Sequence, residues 1–231
     1  MSKHLKRIAM PKTWKLERKK EFWVTKPMPG AHNKLQGMAL ETALKELIKC
    51  AKTRKEVRII LNKKDILVDG KKRKELKLPV GLMDVVSIPE IKENYRILLD
   101  KKGNLYALKI DEEDASIKPC KIIGKKTIKK GITQLNLFGS RNILVKKGGE
   151  EYKVGDTLVI SLPKQEVKEH LKLEKGNVVY LMGGKYIGNV GIIEKLEGDK
   201  ITIKIDDVDV TTKKDYAIVI GKSKPLIKIT S

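Results

Sequence analysis

The side chains best placed to do chemistry in this sequence are cations. Lys71, Lys72, Arg73 and Lys74 form an unbroken row after Asp69-Gly70. Arg54, Lys55, Arg58, Lys63 and Lys64 come just before them, and Lys6, Arg7, Lys12, Lys15, Arg18, Lys19 and Lys20 crowd the first twenty residues. Such groups bind phosphate: each Lys or Arg that meets a nucleic-acid backbone displaces a condensed counterion. Trp14, Phe22 and Trp23 are interleaved with the first set, and they are three of the four Trp and Phe residues of the chain. Their rings suit stacking on bases, or packing on the protein's own backbone.

Signatures of catalysis fail on spacing. Gly221-Lys222-Ser223 resembles the end of a phosphate-binding loop, but position 216 is Tyr where that loop needs Gly. Asp206, Asp207 and Asp209 close a predicted strand, where a polar turn has the same composition. Arg96-Ile97-Leu98-Leu99-Asp100 lacks the spacing of a pseudouridine synthase's catalytic Asp. His4, His32, His170, Cys50 and Cys120 give no local dyad, no Cys-x-x-Cys and no four-ligand zinc pattern. The expectation is a non-enzyme with no catalytic residues, cofactor, metal or small-molecule substrate.

Composition narrows the partner. The chain has 231 residues, 51 Lys and Arg against 29 Asp and Glu, and a formal charge of +22. With 40% apolar residues it can bury a core, so the excess charge points to a polyanion rather than to disorder. Residues 1–36 hold ten basic and two acidic groups, whereas residues 166–231 hold twelve and ten. The basic arm therefore leads the chain. No apolar run is long enough to span a bilayer, no secretory signal opens the sequence, and the cationic segments lack an apolar face for a membrane surface.

Elements that would carry these residues follow from periodicity. Leu40, Leu44, Leu47, Ile48 and Ala51 predict an amphipathic helix, and Thr53-Arg54-Lys55-Glu56 a capping box opening a second helix that buries Val57, Ile60 and Leu61. Asp69-Gly70 predicts a tight hairpin turn, and Val85–Ile88 a buried strand. Short strands are predicted at 95–99, 105–110, 132–138, 142–146 and 157–162, with a brief helix at 111–115 and a loop holding Lys125, Lys126, Lys129 and Lys130. Residues 176–193 alternate as a strand and then place glycines at 184, 188 and 191, for bends and close backbone approach in a small sheet. Strands at 200–205 and 217–220 would complete it.

The 37–90 segment resembles the αL-type RNA-binding domain of bacterial small-subunit ribosomal protein four, on Ile66-Leu67-Val68-Asp69-Gly70, the cations after it, and Pro79-Val80-Gly81-Leu82-Met83-Asp84. The glycine-spaced run resembles the KOW motif of an SH3-like barrel, with Asn177 where Asp is usual. Taken in order, with His4-Leu5-Lys6-Arg7 and Pro11-Lys12-Thr13-Trp14 leading, the chain resembles archaeal-length members of the archaeal and eukaryotic small-subunit ribosomal protein four, or four-e, family.

That resemblance implies a mostly β, α+β chain in four parts: a basic aromatic arm (1–36), an αL-type module (37–90), a central β domain (91–168) and a KOW barrel (169–231). It implies a cytoplasmic, ribosome-bound monomer that holds ribosomal RNA helices in place beside neighbouring ribosomal proteins. The RNA contacts expected are Lys6, Arg7, Lys12, Trp14, Lys15, Arg18, Lys19 and Lys20 in the arm. In the module they are Arg54, Lys55, Arg58, Lys63, Lys64, Lys71, Lys72, Arg73 and Lys74. Trp14 and Trp23 are expected to anchor the arm, on protein or on bases. A polymerase-associated KOW factor and an RNA-modifying enzyme remain as alternatives.

Overall fold

The computed structural model describes residues 4–128, 131–146, 151–206 and 208–229. The described residues are mostly β, with nineteen strands against three short α-helices. The chain forms two units: one runs to Leu99 and adds Asn104–Ser116, the other takes in Asp100–Gly103 and Ile117–Lys228.

In the first unit, β1 (Leu5–Lys6) pairs with β2 (Trp23–Val24), and β3 (Gly37–Ala39) with β6 (Pro79–Gly81). Between them lie α1 (Leu40–Thr42), which continues as a π turn over Ala43–Leu47, and α2 (Arg54–Lys63). The periodicity predicts one helix on to Ala51. Instead Ile48 donates five residues back to Ala43, Lys49 turns left-handed at φ 60°, and Cys50 donates back to the Leu44 carbonyl. Lys is not a usual left-handed residue, so the stop leaves no sequence signal. The second helix begins as expected: the Glu56 amide donates to Thr53 Oγ1 (3.2 Å), and Glu56 Oε2 accepts from the Lys52 amide (2.8 Å). The Lys52 amide first, then the Thr53 hydroxyl, hold the Glu56 carboxyl below its ordinary range. Val57 and Leu61 are buried, and Ile60 is half-buried.

A five-stranded antiparallel sheet completes this unit in the order β5-β4-β7-β8-β9. Its strands are β4 (Leu67–Val68), β5 (Lys71–Lys72), β7 (Val85–Ile88), β8 (Glu93–Leu99) and β9 (Leu105–Ile110). The boundary expected at 90/91 falls inside this sheet, because β7 and β8 pair from Val85↔Arg96 to Ile88↔Glu93. Arg96 is fully buried, and its guanidinium donates to the Asp114 carbonyl (2.7 Å) in α3 (Glu112–Ala115).

The second unit holds two five-stranded antiparallel sheets. One has the order β12-β11-β10-β13-β14, from β10 (Ile117–Thr127), β11 (Thr133–Leu137), β12 (Arg141–Val145), β13 (Thr157–Ser161) and β14 (Val167–Leu171). Lys125 and Lys126, expected in a loop, instead extend β10 opposite Leu135 and Gln134; Lys129 and Lys130 lie outside the described residues. The expected boundary at 168/169 falls within β14. The lysines and Pro119 concealed β10 in the sequence. Pro119 is tolerated because residues 117–121 pair only with β13, and pairing to β11 starts at Ile122.

The other sheet, β18-β17-β16-β15-β19, is built from β15 (Val178–Leu181), β16 (Val190–Glu197), β17 (Lys200–Ile205), β18 (Val208–Lys213) and β19 (Ala217–Gly221). Val159 and Leu171 of the first sheet share a core with Val179, Leu181, Ile193, Ile203 and Val219 of the second. Gly188 has φ 80°. Gly191 serves close approach instead: a Cβ there would stand 2.5 Å from Ile203 Cγ2 and 2.6 Å from the Lys204 carbonyl oxygen.

Two measurements check this packing. Gly191→Val is expected to destabilise the free protein by the ~1–3 kcal/mol typical of overpacking or more, since one obstacle is backbone, and so to lower its thermal midpoint. Lys121 is buried, and its Nζ donates to the carbonyls of Lys214 (2.6 Å) and Asp215 (2.9 Å). Burial pushes its ammonium down to about 8, against the raising effect of the Asp215 charge. Between that pH and the ordinary lysine range the unfolded chain binds more protons, so stability rises with pH. Urea titrations from pH 8 to 10 are expected to show a gain of up to about 2 kcal/mol in the wild type beyond that of Lys121→Met.

Candidate nucleic-acid interface

The amino-terminal arm is pinned to the first unit by two side chains. Arg7 is 2% exposed. Its guanidinium donates to the Glu17 carbonyl, to Glu21 Oε2 (3.2 Å) and to Glu46 Oε1 (3.5 Å). Trp14 is also 2% exposed, and its indole N–H is shared between the carbonyls of Lys34 (3.0 Å) and Gly37 (3.1 Å). Both were expected to touch RNA. The structure turns both inward: the three guanidinium nitrogens of Arg7 each donate to a carbonyl or carboxylate, and the Trp14 indole N–H to backbone carbonyls. Trp14 anchors the arm on protein.

The remaining arm cations, Lys6, Lys12, Lys15, Arg18, Lys19 and Lys20, are exposed. Arg18 donates to the Ile8 carbonyl (2.8 Å), which fixes its stem on the arm. In the module, all nine expected cations are exposed as well. Their positions follow from two local structures. The capping box starts α2 at Arg54, so that Arg54, Lys55 and Arg58 fall away from the buried Val57–Leu61 stripe. The hairpin turn places Asp69 at φ 52° and Gly70 at φ 72°, the left-handed pair that a two-residue turn of this twist requires. Asp69 is buried and ties the turn to β7, its Oδ1 accepting from the Val85 amide (3.0 Å) and its own amide donating to the Val85 carbonyl (2.8 Å).

Some of these cations already face a carboxylate: Arg54 meets Glu41 (3.6 Å), while Lys64 pairs with Glu90 and Lys72 with Asp65. The last two pairs are solvent-exposed on both sides and so hold little energy against a competing phosphate. Among the described residues, Lys55, Arg58, Lys63, Lys71, Arg73 and Lys74 have no ion-pair partner.

A cavity of about 800 Å³ opens beside the arm, lined by His4, Arg7, Trp23, Thr25 and Lys26 from the arm side and by Glu41, Lys45, Glu46, Lys52 and Arg54 from the helical side. Lys77 also reaches it. The buried Glu41 accepts from the Thr25 hydroxyl (2.7 Å) on the arm's side of this space.

Comparison with known proteins matches this chain almost end to end. It is 42% identical to the small ribosomal subunit protein eS4 of Methanocaldococcus jannaschii, across 98% of this chain and 97% of that one. The eS4 protein of Archaeoglobus fulgidus is 40% identical over 98% of this chain and 97% of its own. The chain belongs to the eS4 family.

Two family models fall on separate parts of this eS4 chain: the RS4NT (NUC023) domain on residues 1–35, and Ribosomal family S4e on residues 91–167. Among solved structures, the 30S ribosomal protein S4e of Thermoplasma acidophilum superposes with a TM-score of 0.71 at 29% identity, covering 84% of this chain and 99% of that one. Sequence reasoning missed the cavity and its cations Lys26, Lys45, Lys52 and Lys77. The two-residue strands β1 and β2 that build its arm side are too short to leave a period in the sequence.

Proposed function

We propose that this eS4-family protein is a structural, non-enzymatic component of the small ribosomal subunit, ribosome-bound in the cytoplasm, where it binds ribosomal RNA and sits among other ribosomal proteins. The observation that carries this reading is the near end-to-end identity to proteins named as that subunit's eS4. Supporting it are the +22 charge and the failure of every catalytic spacing in the sequence. Within the reading, residues 37–90 act as an αL-type RNA-binding module and residues 169–231 as a KOW-type barrel. The chain acts as a monomer without a small-molecule substrate.

The RNA contacts are Lys6, Lys12, Lys15, Arg18, Lys19 and Lys20 of the arm, with Arg54, Lys55, Arg58, Lys63, Lys64 and the Lys71–Lys74 row. These groups position the protein on phosphates, a term set by charge and indifferent to sequence. The capped helix and the tied-down hairpin turn support the module's share, since both display cations from a rigid base.

Sedimentation of a native lysate on sucrose gradients at low and high salt tests the reading. The protein is expected to travel with small subunits at both. Release into the light fractions at low salt overturns it and favours a polymerase-associated factor or a modifying enzyme. A second test separates the hairpin from the rest. Lys71→Ala, Lys72→Ala, Arg73→Ala and Lys74→Ala combined should leave thermal stability unchanged, because all four side chains are exposed. RNA binding should weaken, and the log–log salt slope should shrink by up to about 0.9 per lost phosphate contact on duplex. An unaltered slope would show that the turn does not touch RNA.

A further inference from the structure

One stretch of the second unit carries a charge pattern found nowhere else in the chain. Residues 115–149 hold nine Lys and Arg and no Asp or Glu, the longest acid-free stretch of the sequence. β10, β11 and β12 all lie within it, and their register sorts the side chains by face. Leu135, Leu137, Ile143 and Val145 turn inward, onto Cys120, Ile122, Leu158 and Ile160. The opposite face is two cross-strand rows: Lys126, Gln134 and Leu144, then Gly124, Asn136 and Asn142.

Carboxamides dominate this outer face, and the protein leaves much of their bonding capacity unused. Gln134 Nε2 donates to Asn136 Oδ1 (2.7 Å), which aligns the two groups and leaves Gln134 Oε1 as an acceptor and Asn136 Nδ2 as a donor. Asn142 is exposed, and among the described residues its carboxamide has no protein partner. At Gly124 a Cβ would stand 3.6 Å from Asn136 Nδ2, so the missing side chain keeps that donor uncovered. Lys126 is exposed at the end of its row, with no ion-pair partner among the described residues. Leu144, 57% exposed, is the one apolar side chain in the two rows.

A sheet face of amide donors and acceptors, flanked by lysine and free of carboxylate, fits an RNA helix approached from its minor groove. That groove is wide and shallow, and it displays 2′-hydroxyls, each of which can donate and accept. We propose that the outer face of β10, β11 and β12 docks in the minor groove of a ribosomal RNA helix. Gln134, Asn136 and Asn142 hydrogen-bond to ribose 2′-hydroxyls there, and Lys126 meets a flanking phosphate. The inference rests on the RNA-binding reading above and extends it to the central sheet, for which that reading names no contact. A protein partner fits less well, because an interface core favours aromatic and apolar groups, and here a single leucine stands among carboxamides.

Two experiments on the full-length protein test this face. Asn142→Ala removes hydrogen bonds but no charge, so an RNA duplex should bind about two- to tenfold more weakly at an unchanged salt slope. A DNA duplex of the same sequence lacks the 2′-hydroxyl and should bind as it does to wild type. Full RNA affinity in Asn142→Ala, or an equal loss on DNA, overturns the minor-groove contact. For the second experiment, Leu144→Cys is made together with Cys50→Ser, which leaves buried Cys120 as the other thiol. Labelled with a benzophenone maleimide and irradiated with small-subunit ribosomal RNA and total small-subunit proteins, this chain should crosslink to RNA. A crosslink to protein instead, or none while the chain still sediments with the RNA, overturns this face alone. A chain that does not sediment with the RNA at all has failed the wider reading as well.

Discussion

Uncompensated positive charge is the constraint to which the rest of this structure answers. A folded chain with 22 more cations than carboxylates pushes on itself, and that repulsion must be relieved internally or by a partner. The acids are placed where they do most for the fold. Glu21 and Glu46 hold Arg7, Glu41 takes the Thr25 hydroxyl and faces Arg54, and Asp69 closes the hairpin turn. Asp84 accepts from the Gly81 amide and meets His32 at 2.9 Å, and Asp156 does the same for Leu173 and His170. With so many carboxylates turned to internal work, the exposed lysines are left to a polyanion from outside.

The buried cations follow the same logic at closer range. Arg7, Arg96 and Lys121 are each more than nine-tenths buried, and each reaches a backbone carbonyl. At Arg7 two carboxylates share the work, whereas carbonyls solvate a buried cation without adding a second ionisable group, tying chain segments together at modest electrostatic risk. Arg96 joins β8 to α3, and Lys121 joins β10 to the turn before β19. Here a positive charge serves as a structural staple rather than as a binding group, and composition alone cannot separate the two uses.

That ambiguity marks the limit of what the sequence made legible. The capping box, the Asp69-Gly70 turn, strands β7 to β9 and the glycine-spaced run were all readable, because each depends on local chemistry within a few residues. β10 was not: Lys125 and Lys126 read as loop, and the burial of Lys121 in the same strand depends on β13 and on the distant carbonyls of Lys214 and Asp215. The extent of the first helix was misjudged because the periodic apolar residues continue past the left-handed Lys49 that ends it. At the interface, residue type revealed which groups could bind phosphate. Only distant partners, Glu46 for Arg7 and Gly37 for Trp14, decided which of them were engaged elsewhere.

The pinning of the arm by Arg7 and Trp14 has a consequence for how the molecule meets RNA. A basic tail that stayed loose would lose its conformational freedom at the moment of binding, and every ordered residue would subtract roughly 1–2 kcal/mol from the gross contact energy. Here residues 5 to 37 are ordered by their own protein before RNA arrives, so that entropic loss belongs to folding. Association then resembles the docking of a preformed surface, with orientation set by the rigid arm and its rate set by long-range attraction between +22 and the phosphates. The trade-off is reach: a pinned arm cannot sweep the surrounding solution for a distant strand.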